Sequence, residues 1–183
     1  TNYDPMTNPF SNGPRTGVDL SQLFISPTIA FKINQNHAIG ASLNLAYQRF
    51  KASGIGNFAP YSASSGNLTD RGYDNSTGVG VRLGWTGNIS PEITLGATWQ
   101  SRTKMSKFDK YQGLFAEQGD FDIPANFGVG AAFKVSPALT VAADFVRIQY
   151  GDVKSIANNI SVLALNTLGN SGGAGFGWDD QNV

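Results

Sequence analysis

Six stretches of this sequence alternate between apolar residues and small or polar residues, which is the pattern of β-strands with two different faces. In all six the main apolar positions are odd-numbered, so the strands are predicted to share one inside/outside parity. The predicted strands lie near Leu23–Ile33, Ala38–Tyr47, Thr77–Thr86, Ile93–Arg102, Phe127–Val135 and Leu139–Phe145.

The connections between these strands alternate sharply in length. Three are short turns, and the other three contain about 25 residues each. The short ones are Asn34–His37, Gly87–Pro91 and Ser136–Ala138, and the long ones are Lys51–Ser76, Thr103–Asn126 and Gly151 to about Gly175. Short turns at one end and long loops at the other are typical of transmembrane β-barrels, whereas loops of this length count against a compact soluble domain. We therefore predict an all-β fold, an antiparallel transmembrane β-barrel segment.

Aromatic residues stand at two levels of the predicted strands. Phe31, Trp85 and Phe133 precede the short turns, and Tyr47 and Trp99 lie near the far ends of the second and fourth strands. Two such levels are expected of the aromatic girdles that mark the two membrane interfaces. The alternative is that they are ordinary core aromatics of a soluble β-sandwich binding protein, but only 14% of the residues are charged, against about 25% in a typical soluble domain.

Several functions find no support in the sequence. The formal net charge is zero and there is no cysteine, so nucleic-acid binding, disulfides and thiolate metal sites are not predicted. The single histidine, His37, stands beside a short turn, where it is poorly placed for a catalytic triad. The glycines of Gly169–Gly177 lack the Lys-Ser/Thr of a phosphate-binding loop. We expect no enzyme activity, no cofactor and no metal.

Six strands are fewer than the roughly eight of the smallest bacterial barrels. We expect the whole chain, 1–183, to be a single domain that forms an interior part of a larger barrel. The alternative way to close such a sheet is oligomerisation of this chain.

Several motifs resemble the outer-membrane transporters of long-chain fatty acids and other hydrophobic compounds, the FadL and TodX group. They are Pro91–Ser101 (P-x-x-T-L-G-A-x-W-x-S), Trp99–Arg102, Phe108–Tyr111, Gly119–Gly130 with its F-D-I-P element, and Gly177–Gln181. The resemblance implies a barrel of about fourteen strands, plugged by an N-terminal hatch, in the bacterial outer membrane. We expect the hatch and the remaining strands to lie outside this sequence.

The same resemblance implies passive uptake of hydrophobic compounds, with long-chain fatty acids as the expected substrates. The expected partners are such a hydrophobic small molecule or fatty acid, the lipid bilayer and lipopolysaccharide. A general porin or structural barrel with a polar lumen is the alternative function.

The candidate ligand-binding residues are of two kinds. Tyr111, Leu114 and Phe115 stand at i, i+3 and i+4, one face of a helical turn that either binds a hydrophobic ligand or packs over the barrel mouth. The second kind is predicted from parity to face the lumen, because a charge pointing at the lipid would be costly. This set comprises Arg82, Gln100, Arg102, Lys134, Asp144, Val146 and Ile148.

Among these lumenal residues, Arg82 and Arg102 could bind a fatty-acid carboxylate, although pairing with an internal aspartate is the commoner use of such cations. Val146 and Ile148 interrupt the alternation of the sixth strand. They predict either apolar lumenal positions, as suits a hydrophobic substrate, or a bulge or strand end.

Overall fold

The predicted strands form one continuous antiparallel sheet. The computed structural model describes residues 2–3, 15–164 and 167–183, with only the backbone for residues 2, 3 and 164. The strands are β1 Asn2–Tyr3, β2 Thr16–Ile25, β3 Thr28–Lys32, β4 His37–Ser53, β5 Asp74–Asn88, β6 Ile93–Gln100, β7 Lys104–Met105, β8 Asn126–Ser136, β9 Leu139–Ile148 and β10 Gln181–Asn182.

The order across the sheet is β1-β2-β4-β5-β6-β8-β9-β10, and in the described part of the chain the two ends of this series do not meet. β3 continues β2 along β4, and β7 continues β6 along β5. The architecture is therefore an antiparallel half-barrel, as the alternation and the loop lengths predict.

The first strand differs from its prediction in extent. The sequence pattern places it at Leu23–Ile33, whereas the structure begins it at Thr16 and interrupts it at Pro27. Proline has no N–H for the ladder, which explains the interruption. The register against β4 is the same on both sides of the break, and the Ser26 hydroxyl donates to Asn44 Oδ1 at 2.9 Å. The side chains of β2 and β3 therefore keep the same inside/outside alternation on both sides of the break.

The shared parity of the six strands is confirmed by the register. The pairs Leu43–Val81, Trp85–Ala97 and Val129–Phe145 each join odd-numbered residues, and directly opposite residues lie on the same face. We call this odd-numbered face the outer face and the opposite one the inner face. Exposed large apolar residues of the outer face are Leu23, Ile25, Ile29, Phe31, Ile39, Leu43, Leu45, Tyr47, Val79, Val81, Leu83, Ile93, Trp99, Phe127, Val129, Phe133, Val141 and Phe145.

The outer face becomes polar at the end near the long loops. Tyr47 is the last of the apolar series on β4, and its hydroxyl donates to Asn75 Oδ1 at 2.7 Å. Beyond it the outward positions are Arg49 and Lys51, with Asp19 opposite Lys51 on β2. The apolar residues thus form a band that ends at a defined polar rim.

The long loops fold back over the inner face instead of extending away from the sheet. The first loop is residues 54–73, the second 101–125 and the third 149–180. Their short helices are 3-10 turns at Gly56–Tyr61, Ser65–Asn67, Asp109–Tyr111, Tyr150–Asp152 and Ile160–Ala164, and α-turns α1 Ala116–Gly119 and α2 Lys154–Ala157. Among the described residues, no helix is long and apolar enough to cross a membrane.

Candidate functional site

The second loop is anchored on the inner face of β4 by aromatic packing. The ring centroid of Phe50 lies 5.7 Å from that of Phe108, 4.8 Å from that of Tyr111 and 4.8 Å from that of Phe115. Aromatic pairs at such distances add about 0.5–1.5 kcal/mol each beyond the area that they bury. The sheet therefore fixes the loop, and this cluster, which also includes Phe121, Val153 and Ile156, brings the second and third loops together.

Tyr111 is buried and joins its loop to the sheet and to the first loop, so it is not part of an exposed apolar stripe. Its side chain is fully buried; its hydroxyl donates to the carbonyl of Gly72 at 2.6 Å and accepts from the N–H of Ala52 at 3.1 Å. Burial raises the pKa of this phenol, so it stays a neutral donor. Phe115 is buried as well. The helical turn thus packs against the sheet, and whether it also contacts a ligand stays a prediction.

Leu114 and Phe115 also line an apolar cavity of about 200 Å³ between the sheet and the three loops. Its lining residues are Val18, Phe50, Ile55, Phe58, Leu114, Phe115, Ser155, Ile160, Leu168, Ala174, Gly175 and Phe176. Ser155 carries the one polar side chain of this set, and its hydroxyl is already satisfied because it donates to the carbonyl of Asp120. Among the described residues, the cavity therefore presents no charge and no unpaired side-chain donor to a ligand.

A series of aromatic rings leads from this cavity to the protein surface. The centroid of Phe115 lies 4.7 Å from that of Phe121, which lies 6.4 Å from Phe176. Phe176 in turn lies 5.7 Å from Trp178. Phe176 is 56% exposed and Trp178 is 52% exposed, so the series begins at an accessible apolar surface and ends at the cavity wall.

Arg102 forms ion pairs in the structure and is not a free cation. It lies beyond the end of β6, where the register against β5 shifts by one residue between the Arg82–Gln100 pair and the Val79–Lys104 pair. The two-residue alternation therefore does not fix the face on which Arg102 lies, and its predicted lumenal position stays a prediction.

The guanidinium of Arg102 instead holds the second and third loops together. Nε donates to Asp122 Oδ2 at 2.6 Å, a second nitrogen lies 3.4 Å from Asp120 Oδ2, and a third donates to the carbonyl of Asp152 at 2.7 Å. Asp122 is 1% exposed, and its other oxygen accepts from the N–H of Met105 at 2.7 Å. Internal pairing, the alternative considered for this arginine, is what the structure shows.

The pKa of Asp120 is affected by both burial and its charged neighbours. Burial is the main cause that raises its pKa, and the charge of Asp122 adds to it, while Arg102 lowers it by less. The Arg102–Asp122 contact is consequently the strong ion pair, and Asp120 is a weaker neighbour of it.

The other lumenal positions follow the predicted parity. Arg82 lies opposite Gln100, and its Nε donates to Gln100 Oε1 at 3.0 Å. Val146 and Ile148 lie opposite Gly128 and Asn126 in an unbroken register. No bulge therefore explains why apolar residues occupy these two inner-face positions. The remaining residues of this set, Lys134 and Asp144, pair with Thr140 and Gly130, also on the inner face.

Sequence reasoning missed several residues of the cavity. Val18, on the inner face of β2, was overlooked because the strand was begun at Leu23. Phe176, in the third loop, follows glycines that were interpreted only as loop residues. A Cβ atom at Gly175 would lie 2.7 Å from the carbonyl oxygen of Lys154, so the glycine permits the close approach that places Phe176 at the cavity. An aromatic residue directly after such a glycine-rich run was the available signal.

Comparison with solved structures identifies the fold. The Ralstonia pickettii toluene transporter TbuX is 19% identical, with a TM-score of 0.57 over 76% of this chain and 43% of its own. CymD, a monoaromatic hydrocarbon channel, is 20% identical, with a TM-score of 0.56 over 76% of this chain and 47% of its own. A Pseudomonas aeruginosa FadL homologue is 16% identical, with a TM-score of 0.55 over 79% and 41%.

The chain thus spans less than half the length of these proteins. Neither a protein-family model nor the sequence of a curated protein matches it. Because the sequence identity is so low, the similarity establishes only the fold of this chain. That fold agrees with the open sheet, the short turns and the long loops described above. The fold of this chain is therefore that of a segment of a FadL-like barrel.

Proposed function

We propose that this chain is part of an outer-membrane β-barrel that takes up small, uncharged hydrophobic compounds passively. The observation that carries the proposal is the apolar cavity between the loops and the sheet, with Phe176 exposed at its edge. Its volume is about 200 Å³, and an apolar cavity of about 150 Å³ inside a protein is enough to bind benzene.

The outer face supports a membrane location. Its apolar residues form a band across the sheet and give way to Arg49, Lys51 and Asn75 at the loop end. A water-facing surface of a soluble monomer rarely carries so continuous an apolar face. In a bilayer, the unpaired edges of the half-barrel need further strands, so we propose that this segment is one domain of a larger barrel whose other strands, and whose hatch, lie outside it.

Leu43 and Ser42 offer a matched test of the membrane location. Leu43 lies on the outer face in the middle of the band, so Leu43→Arg should destabilise the barrel by about 2–4 kcal/mol. Ser42→Arg places the same charge on the inner face and should cost much less. Unfolding in lipid vesicles, followed by heat-modifiable gel migration, measures both. Equal costs for the two variants would contradict a lipid-facing outer surface.

An uncharged ligand suits the cavity better than a carboxylate does. A buried carboxylate needs a cation, but no cationic residue lines the described cavity. The charge of Arg102 is engaged by Asp122 and Asp120. The proposal is in keeping with the toluene and monoaromatic hydrocarbons named for TbuX and CymD.

Long-chain fatty acids, the substrates expected from the sequence, are the second candidate. Arg82 supports them, since its only side-chain partner among the described residues is the neutral amide of Gln100, which leaves its positive charge on the inner face. A general porin is favoured less, because Val146 and Ile148 place apolar side chains on the inner face, where a water-filled channel would have polar ones.

Uptake by the complete barrel tests the proposal. The protein is expressed in bacteria without other hydrocarbon channels, and entry of radiolabelled toluene, of a long-chain fatty acid and of a disaccharide is measured. We expect toluene entry to rise well above the empty-vector rate, the fatty acid to enter more slowly, and the disaccharide to be excluded. Disaccharide entry at the toluene rate would indicate a porin, and fatty-acid entry alone would favour the second candidate.

A further inference from the structure

A basic pocket lies on the polar rim of the outer face and shares one described lining residue, Val18, with the apolar cavity. It has a volume of about 240 Å³, and its lining includes Arg15, Asp19, Lys51, Ser53 and Tyr73. Asp19 and Lys51 are paired in register and point outward. The pocket therefore opens toward the surroundings of the barrel and not toward its lumen.

Tyr73 gives this pocket a fixed wall. Its hydroxyl donates to Asp19 Oδ2 at 2.6 Å. The Cζ atom of Arg49 stands 4.1 Å from the ring centroid and Nζ of Lys51 stands 5.6 Å from it, both within cation–π range. On the other side, Nζ of Lys110 donates to the carbonyl of Tyr73 at 2.6 Å. Two cations are thus held beside one ring.

The pocket lining has two cations, Arg15 and Lys51, against one carboxylate, Asp19, and Arg49 stands over the Tyr73 ring. In the part of the chain that the structure describes, Arg15, Arg49 and Lys51 form no ion pair. Asp19, the carboxylate in the pocket wall, is already the acceptor of the Tyr73 hydroxyl. These cations can bind a phosphate group, because arginine presents a planar fork of hydrogen-bond donors and lysine presents a compact positive charge.

We propose that this pocket binds a phosphate group of an outer-leaflet lipid headgroup. The inference rests on the membrane location argued under the proposed function. The pocket faces outward just beyond Tyr47, the last residue of the apolar band on β4, and this is the level at which lipid headgroups surround a barrel. Basic residues at that level attract anionic lipids. A soluble phosphate would have no reason to be recognised at this level in particular.

The test uses the complete barrel in detergent, titrated separately with diphosphoryl lipid A, monophosphoryl lipid A and inorganic phosphate, with binding followed by native mass spectrometry. We expect diphosphoryl lipid A to bind most tightly. The double variant Arg15→Gln/Lys51→Gln should weaken its binding at least about tenfold, as loss of charge-assisted hydrogen bonds implies. Arg49→Gln provides a second, milder variant if the first does not fold.

The control is Lys32→Gln, which removes a lysine near the short-turn end and should leave lipid binding unchanged. Equally tight binding of inorganic phosphate, or unchanged lipid binding by the pocket variant, would overturn the inference. These outcomes are separable from the proposed function: a barrel that inserts and transports toluene without preferring lipid A to inorganic phosphate refutes this inference alone, whereas failure to insert refutes the membrane location.

Discussion

Filling the apolar cavity should abolish most hydrocarbon uptake. Ala174 is buried in the cavity wall, so Ala174→Phe would place a ring in the space that the ligand needs. We expect toluene uptake at subsaturating concentrations to fall at least about tenfold, which corresponds to a loss of about 1.4 kcal/mol of binding free energy. Initial uptake rates in cells that express equal amounts of folded barrel give the measurement.

The control for this variant is Ala138→Phe, which adds the same ring to an exposed position in the short turn between β8 and β9. It should transport at the wild-type rate. Ala174→Leu fills less of the cavity and should give an intermediate rate. Wild-type uptake by Ala174→Phe, with heat-modifiable migration intact, would show that hydrocarbons do not pass through this cavity.

The strands could be predicted from the sequence because their physical cause is local. Each strand repeats a two-residue period, and each short turn brings the next strand directly alongside, so the parity seen at Leu43 and Val81 follows from sequence alone. The pattern failed where another cause acted. Between Gln100 and Lys104 the register against β5 shifts by one residue, so alternation no longer predicts the facing of Arg102. Before Leu23 the outward residues are polar because β2 has passed the apolar band.

The candidate site was less predictable, since its contacts join residues far apart in the chain. Tyr111 meets Ala52 and Gly72 through its hydroxyl, and nothing in the local spacing of Tyr111 indicates those partners. Leu114 and Phe115 were correctly identified as apolar loop residues, and the structure places both in the cavity wall. Whether they bind a ligand stays a prediction. The F-D-I-P element also has a structural role, because Phe121 packs on Phe176 of the third loop and Asp122 accepts hydrogen bonds from Arg102 and Met105 within the second loop.

Removing the charge of Arg102 should loosen the loops without unfolding the sheet. Arg102→Met leaves Asp122, which is 1% exposed, without its cation. Breaking a buried pair costs about 3–5 kcal/mol. We expect about 2–3 kcal/mol because the Arg102 side chain is itself 28% exposed. Hydrogen exchange should accelerate at the amide of Met105, whose partner is Asp122, and stay slow in β4.

The double variant Arg102→Met/Asp122→Asn should recover much of this loss, because it removes the stranded charge along with its partner. If Asp122→Asn does not rescue Arg102→Met, the loss comes from the hydrogen bond of Arg102 to the carbonyl of Asp152 in the third loop and not from the stranded charge of Asp122.

Asp120 supplies the contrasting case and a pH dependence. Its folded-state pKa is raised, mainly by burial, so its ionised form destabilises the loops at neutral pH. That penalty should disappear as the pH falls through the raised pKa toward the ordinary value of 3.8. Asp120→Asn should therefore be neutral or stabilising at pH 7 and lack this acid-induced gain, whereas Asp122→Asn should destabilise the loops. Comparable destabilisation by both substitutions would mean that Arg102 depends equally on the two carboxylates, contrary to their different distances from it.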